Sequence, residues 1–303
     1  MLPVGFWYTA LFVFGAAVGS YLNVVTMRYQ PTGWLFSFAD TRGRSHCPHC
    51  KKVLAWYELV PLVSFLAQGG RCRSCGAKLS LQYPVIELAT AVLFAAVPAS
   101  LAAFYRIPGE TLAAGGAPWW FYAVAAIWLL AFILFIVLVI IDLKHYLIPD
   151  GLNLTLFILG ALLVAVLASV RSDLLGLRLS LLGPYAVAFP VFSSVLLNHL
   201  AGSAGAALFF WLLSRFRHGQ AMGMGDVKLA AAAGMLFGWP DIALVVGAAF
   251  IVGGAVGIAL VLRRAKHMSD RLPFGPFFAV GAALTFFLAG PLVAGYLSLI
   301  GFS

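Results

Sequence analysis

Apolar residues in this chain come in long unbroken runs, not in the alternating or three-and-four spacings of a water-soluble fold. The runs lie near 4–26, 84–105, 118–141, 151–170, 190–214, 227–238, 242–262 and 275–299. About twenty apolar residues cross the hydrocarbon core of a bilayer as a helix, so the sixth run is short for an ordinary span and the others suffice. The pattern predicts an all-α polytopic membrane protein with about eight transmembrane helices. No Lys or Arg precedes the first run, so it lacks the basic segment of a secretory signal, although "GAAVGS" has the small residues of a cleavage site. It is read as a retained helix.

The polar intervals are mostly short, with one exception. An insert of about fifty-five residues separates the first run from the second, far beyond the usual connection length. The chain is therefore divided into 1–83, a helix plus insert, and 84–303, a helical bundle. The stretch Arg171–Pro190 is apolar but broken by Arg178, Gly183 and Pro184, and reads as an external, partly interfacial segment. "AGSAGAALFF" at 201–210 has the small residues that let helix backbones approach in lipid.

Composition agrees with this picture, since 63% of the 303 residues are hydrophobic and 10% charged. The net charge of +9 raises nucleic acid as a partner, but its distribution argues otherwise. With the N-terminus outside, sixteen of the nineteen Lys and Arg residues fall in inside segments; Arg106, Arg171 and Arg178 are the exceptions. That is the positive-inside bias of a membrane protein, and it places the insert in the cytoplasm. Membrane lipids are expected partners and nucleic acid is not.

All four cysteines lie in the insert, as "CPHC" and "CRSC". Cys47, Cys50, Cys72 and Cys75 have the spacing of two knuckles that close a tetrahedral thiolate site around zinc. Redox-active pairs or free thiols are the alternative, while structural disulfides are rare in a reducing cytoplasm. Zinc explains how so small an insert folds. Such a metal is structural, because four thiolates leave no open position for chemistry. His46 and His49 are read as surface residues.

Two aspartates mark the inside edges of the bundle. Asp226 opens the sixth run in "GMGDVKL", and Asp142 closes the third in "IDLKHYLIPD". Capping a helix N-terminus is a sufficient reason for Asp150, and as good a reason as function for Asp226. Asp142 lacks that excuse, because a carboxylate at a helix C-terminus opposes the macrodipole. Two carboxylates in a low-dielectric site share a proton, one acting as base on water while the other stays protonated. Gly223 and Gly225 leave room for a substrate strand.

The chain resembles the type IV prepilin peptidases, aspartic membrane proteases of the GxGD type. The resemblance spans nearly the whole chain and rests on "GSYLNVVTMR", "SHCPHC", "GGRCRSCG", "YPVIELAT", "IDLKHYLIPD", "GMGDVKL" and "LPFGPFFAVGA", in order. Gln82 stands where such proteins commonly carry arginine, and Met224 fills the variable position of GxGD. The resemblance implies that Asp142 and Asp226 are catalytic. It also implies a substrate, a prepilin or pseudopilin with a short basic leader, cut after a glycine at the cytoplasmic face of a bacterial inner membrane. The new N-terminal residue, usually phenylalanine, is then methylated from S-adenosylmethionine. No glycine-rich nucleotide loop is visible, so the methyl-transfer candidates are Asn23, Arg28 and Glu87, with a Glu87–Arg28 structural pair as the rival reading. Two other classes compete. A membrane thiol-disulfide oxidoreductase leaves Asp142 and Asp226 without a purpose, and an ion-coupled transporter has no need of the cysteine insert.

Overall fold

The computed structural model describes residues 4–31, 43–170, 180–189, 194–215, 222–264, 272–299 and 301. Its long helices are α1 (Val4–Arg28), α2 (Gln82–Phe104), α3 (Trp119–His145), α4 (Asp150–Ser169), α5 (Val195–Arg215), α6 (Met224–Phe237), α7 (Asp241–Leu262) and α8 (Gly275–Leu299). Seven are long and apolar enough to cross a membrane. The exception is α6, whose 14 residues rise only about 21 Å. Each expected run has become a helix, and the short sixth run is the short helix. Among the described residues there are no strands, only the isolated bridges His46–Val53 and Arg71–Lys78.

The chain divides into two compact units, Met1–Val137 and Leu138–Ser303. In the first, α1 lies along α2 because α1 offers glycine where the backbones meet. A Cβ on Gly15 would stand 2.8 Å from the Thr90 carbonyl oxygen, and one on Gly19 would stand 2.8 Å from Glu87 Cα. Close approach of this kind, through dispersion contacts, is what holds helices together when lipid removes the hydrophobic drive. Buried hydroxyls are satisfied within their own helices, Thr26 donating to Leu22 O at 2.8 Å and Thr90 to Ile86 O at 2.7 Å. The Tyr83 hydroxyl, in the first turn of α2, donates to Met27 Sδ at 2.8 Å.

In the second unit α6 packs against both α4 and α5, and α7 against α8. The small-residue run of α5 makes its contact possible. A Cβ on Gly234 would lie 2.5 Å from Gly202 O, so α5 and α6 touch backbone to backbone. His199, buried on α5, is fixed at 2.9 Å from Met235 O. Phe210, Phe250, Phe274 and Phe278 form one aromatic cluster, with ring centroids from 5.2 Å for Phe250–Phe274 to 6.2 Å for Phe210–Phe278. Asp241, at the start of α7, is buried and accepts from Ser180 Oγ at 2.6 Å and Leu181 N at 2.8 Å. It thereby anchors the described end of the stretch expected to be interfacial; Arg171 and Arg178 lie outside the described residues.

Candidate functional site

Asp142 occupies the last turn of α3, where its own helix dipole disfavours a negative charge. The structure supplies the compensation that the sequence concealed. Asp142 is 4% exposed and accepts the Gly275 N–H at 2.8 Å through Oδ2. Gly275 is the first residue of α8, so its N–H is one of the donors a helix start leaves unpaired. Capping thus does act on Asp142, across 133 residues of sequence and in the service of a different helix. Gly275 is the residue that sequence reasoning missed. Its only signal was a glycine in the motif opening the last helix.

Asp226 is the third residue of α6 and half-buried. Its Oδ2 accepts the Gly223 N–H at 3.2 Å, while its own N–H donates to Gly223 O at 3.2 Å. This closes the α6 N-terminus, so the capping role foreseen for Asp226 is real. Gly225 must pass close to the connection between α3 and α4, since a Cβ there would lie 3.3 Å from Ile148 Cβ. Asn153 approaches the same turn, its Nδ2 lying 3.5 Å from Gly225 O. Its buried Oδ1 has no hydrogen-bond partner.

The two carboxylates lie within electrostatic range of one another, close enough for the charges of Asp142 and Asp226 to repel. Each is held through Oδ2 by one backbone N–H at a helix start, the positive end of a dipole. Asp150 stands apart from the pair. The cap of α4 is Pro149, with no side-chain cap bond, and Asp150 pairs with Lys228 Nζ at 2.7 Å. The pair is exposed, worth at most about 1 kcal/mol. The capping reading of Asp150 is therefore replaced by a surface ion pair.

The four thiols also converge, with their Sγ atoms all within 4.8 Å of one another. Cys47 and Cys75 are 3.9 Å apart, near the edge of about 3.8 Å that a tetrahedron of Zn–S bonds demands. Each knuckle closes identically. Lys51 N donates to Cys47 O and Cys47 N to Lys52 O; Gly76 N donates to Cys72 O and Cys72 N to Ala77 O. Lys51 and Gly76, each just after the second cysteine, both take positive φ, 60° and 69°. The amides of Cys75 and Ser74 pull the Cys72 thiol down to about 7. Cys75 is pushed up to about 11, despite the Ala77 amide, by desolvation and by its sulfur neighbours. Four thiols this crowded share their protons and shed them together in favour of a cation.

Asn23, Arg28 and Glu87 line one cavity of about 310 Å³, with Cys47 and Cys72 in its wall. Asn23 is 2% exposed; its Nδ2 donates to Tyr83 O at 3.2 Å and to Gly19 O at 3.3 Å, leaving Oδ1 unpartnered. Glu87 Oε2 accepts the Leu62 N–H at 2.7 Å, a partner that neither sequence reading named. Leu62 sits at φ 61° in a tight turn, with Val63 N donating to Pro61 O at 2.6 Å.

Comparison with known proteins decides the family. Residues 13–101 match the Bacterial Peptidase A24 N-terminal domain, and residues 128–258 match the Type IV leader peptidase family. Proteins named "Prepilin leader peptidase/N-methyltransferase" are similar along nearly the whole length. That of Burkholderia pseudomallei is 33% identical, covering 96% of this chain and 88% of its own. The chain belongs to the type IV leader peptidase family. The Aeromonas hydrophila protein of that name is 31% identical over 96% of this chain and 94% of its own, and the Legionella pneumophila one 29% over 96% and 95%. No solved structure matches the chain. In a leader peptidase, the proximity of Asp142 and Asp226 is the observation that calls for a chemical account.

Proposed function

We propose that this chain removes the leader of prepilins or pseudopilins at the cytoplasmic face of a bacterial inner membrane and methylates the exposed N-terminus. Its catalytic pair is Asp142 and Asp226, and the observation that carries this is their approach at two helix starts. One carboxylate, ionised, takes a proton from water as the oxygen attacks the scissile carbonyl carbon. The other, protonated, donates to the carbonyl oxygen, and the proton taken from water passes to the departing amine as the C–N bond breaks. The N-terminus lies outside and the thiol insert in the cytoplasm, a reading supported by the distribution of Lys and Arg.

Methyl transfer belongs to 1–83 together with Glu87, and peptide cleavage to the remainder of 84–303. S-adenosylmethionine would supply an electrophilic methyl group. The cavity beside Asn23, Arg28 and Glu87 is at the lower edge of small-molecule sites in volume, and the unpaired Asn23 Oδ1 offers a buried acceptor for an amine or amide donor. Glu87 adds negative charge facing a cationic donor or an ammonium terminus. Glu87→Gln keeps an acceptor for Leu62 N–H but loses that charge. It is expected to leave cleavage within about twofold of normal and to lower methylation about tenfold or more. Mass spectrometry of a purified prepilin incubated with reconstituted protein reads both; equal loss of the two activities would make Glu87 purely structural. Omitting S-adenosylmethionine should leave cleavage intact.

The thiol cluster binds one structural zinc through Cys47, Cys50, Cys72 and Cys75, supported by the convergence of the sulfurs. Elemental analysis of reduced protein prepared without chelators should find one zinc per chain, and Cys72→Ser should lose most of it while helicity stays. Strong acidification should release the metal, because protons then compete with it for the four thiolates. Metal-free wild-type protein would remove zinc from the account.

A further inference from the structure

The segment between the two knuckles exposes more large apolar side chains than a structure surrounded by water tolerates. Its short helix Val63–Ala67 turns Ser64 and Phe65 into the cavity, where Gln68, Glu58 and Glu87 also face. The opposite side is apolar. Trp56 is 78% exposed, Val63 61% and Leu66 76%, with Tyr57 and Val60 also exposed. So many large apolar groups left exposed on one small segment is the arrangement of a surface that meets lipid.

The tether to α2 fixes the depth of this surface. Glu87 is five residues beyond the start of α2 at Gln82, a rise of about 7.5 Å into a membrane-crossing helix. Its carboxylate holds the Leu62 N–H at 2.7 Å, so the Pro61–Leu66 turn is pinned beside the first two turns of α2. On α2 the exposed Val85, Leu88 and Val92, with Leu81 at its N-cap, follow helical spacing and form one stripe, the lipid-facing side of a span. The insert's apolar surface therefore continues an established lipid-facing one. Arg71, Arg73 and Lys78 of the same insert are exposed, and Arg73 lies 5.3 Å over the Tyr57 ring. Basic groups beside an apolar aromatic surface complement anionic headgroups above an acyl layer.

We infer that the insert is a monotopic membrane element, with Trp56, Val63 and Leu66 seated at the headgroup–acyl boundary of a bilayer containing anionic lipid. The cavity beneath Glu87 then opens at the membrane surface, beside the lipid from which any membrane-anchored N-terminus would approach.

Photo-crosslinking tests this in the full chain, reconstituted in vesicles of phosphatidylethanolamine and phosphatidylglycerol that carry a tagged phospholipid. Benzoylphenylalanine is placed at Leu66, at Leu88 as the lipid-facing reference and at Lys52 as the aqueous one. The expected lipid adduct at Leu66 matches that at Leu88 and exceeds that at Lys52 by about fivefold or more, and it persists when prepilin is added. A yield at Leu66 no higher than at Lys52 overturns the inference. So does transfer of the adduct to prepilin, which would make the surface a substrate-docking site. Fluorescence of the unlabelled chain gives an independent reading. Brominated phospholipid should quench a component that Trp56→Phe removes, and an unquenched Trp56 component overturns the inference equally.

Discussion

Asparagine at either Asp142 or Asp226 is expected to lower leader removal by about a thousandfold or more, with the double variant scarcely worse than each single one. Asparagine preserves size and still accepts the N–H of Gly275 or Gly223, so both helix starts remain closed. It can neither act as base on water nor share the proton that two adjacent carboxylates hold between them. The comparison therefore separates the two roles that each residue has in the structure, cap and chemistry. Methylation of a pilin supplied already cleaved should persist in both variants. Asp150→Asn is the control: it removes an exposed pair with Lys228 and should change cleavage less than about twofold.

Gly275→Ala should separate activity from stability. A Cβ at Gly275 would stand 2.6 Å from Asp142 Oδ2, well inside van der Waals contact, and the carboxylate is the part free to give way. Alanine at the same time favours the helix by up to about 1 kcal/mol over glycine. Thermal unfolding in detergent should therefore shift little, the helix gain offsetting the loosened Gly275–Asp142 bond, while cleavage falls about a hundredfold from displacement of a proposed catalytic group. A variant with normal cleavage would mean that the position of Asp142 is not critical. One that no longer folds would assign Gly275 to packing.

The reasons sequence reading succeeded are local, and so are the reasons it stopped. Each apolar run announced its helix because in lipid the backbone has no other way to pair its N–H and C=O groups. The thiols were legible because two Cys-x-x-Cys knuckles carry their own geometry, and the structure brings the four Sγ atoms within 4.8 Å. The error over Asp142 came from judging a carboxylate by its own helix. Its partner is the N–H of Gly275 at the start of α8, and no periodicity links two helices so far apart in the chain. Glu87 escaped in the same way. Its partner is a backbone N–H, that of Leu62 in a turn of positive φ, and neither the leucine nor the preceding proline signals such a turn. Asp150 was misplaced by one position, since Pro149 takes the cap and leaves the carboxylate to meet Lys228. Side chains that answer to their own helix could be read from the sequence, and those that answer to another element could not.

The claim on which the rest depends is that Asp142 and Asp226 together form the peptide-cleaving site. Its most direct test is the intact mass of a prepilin co-expressed with the wild-type chain or with Asp226→Asn, where circular dichroism and membrane yield show the variant folded. The wild-type chain should return a pilin shortened by its leader and heavier by one methyl group, and Asp226→Asn the full-length prepilin. A leaderless pilin produced by Asp226→Asn at near wild-type level would contradict the account, leaving Asp226 as the cap of α6 and nothing more.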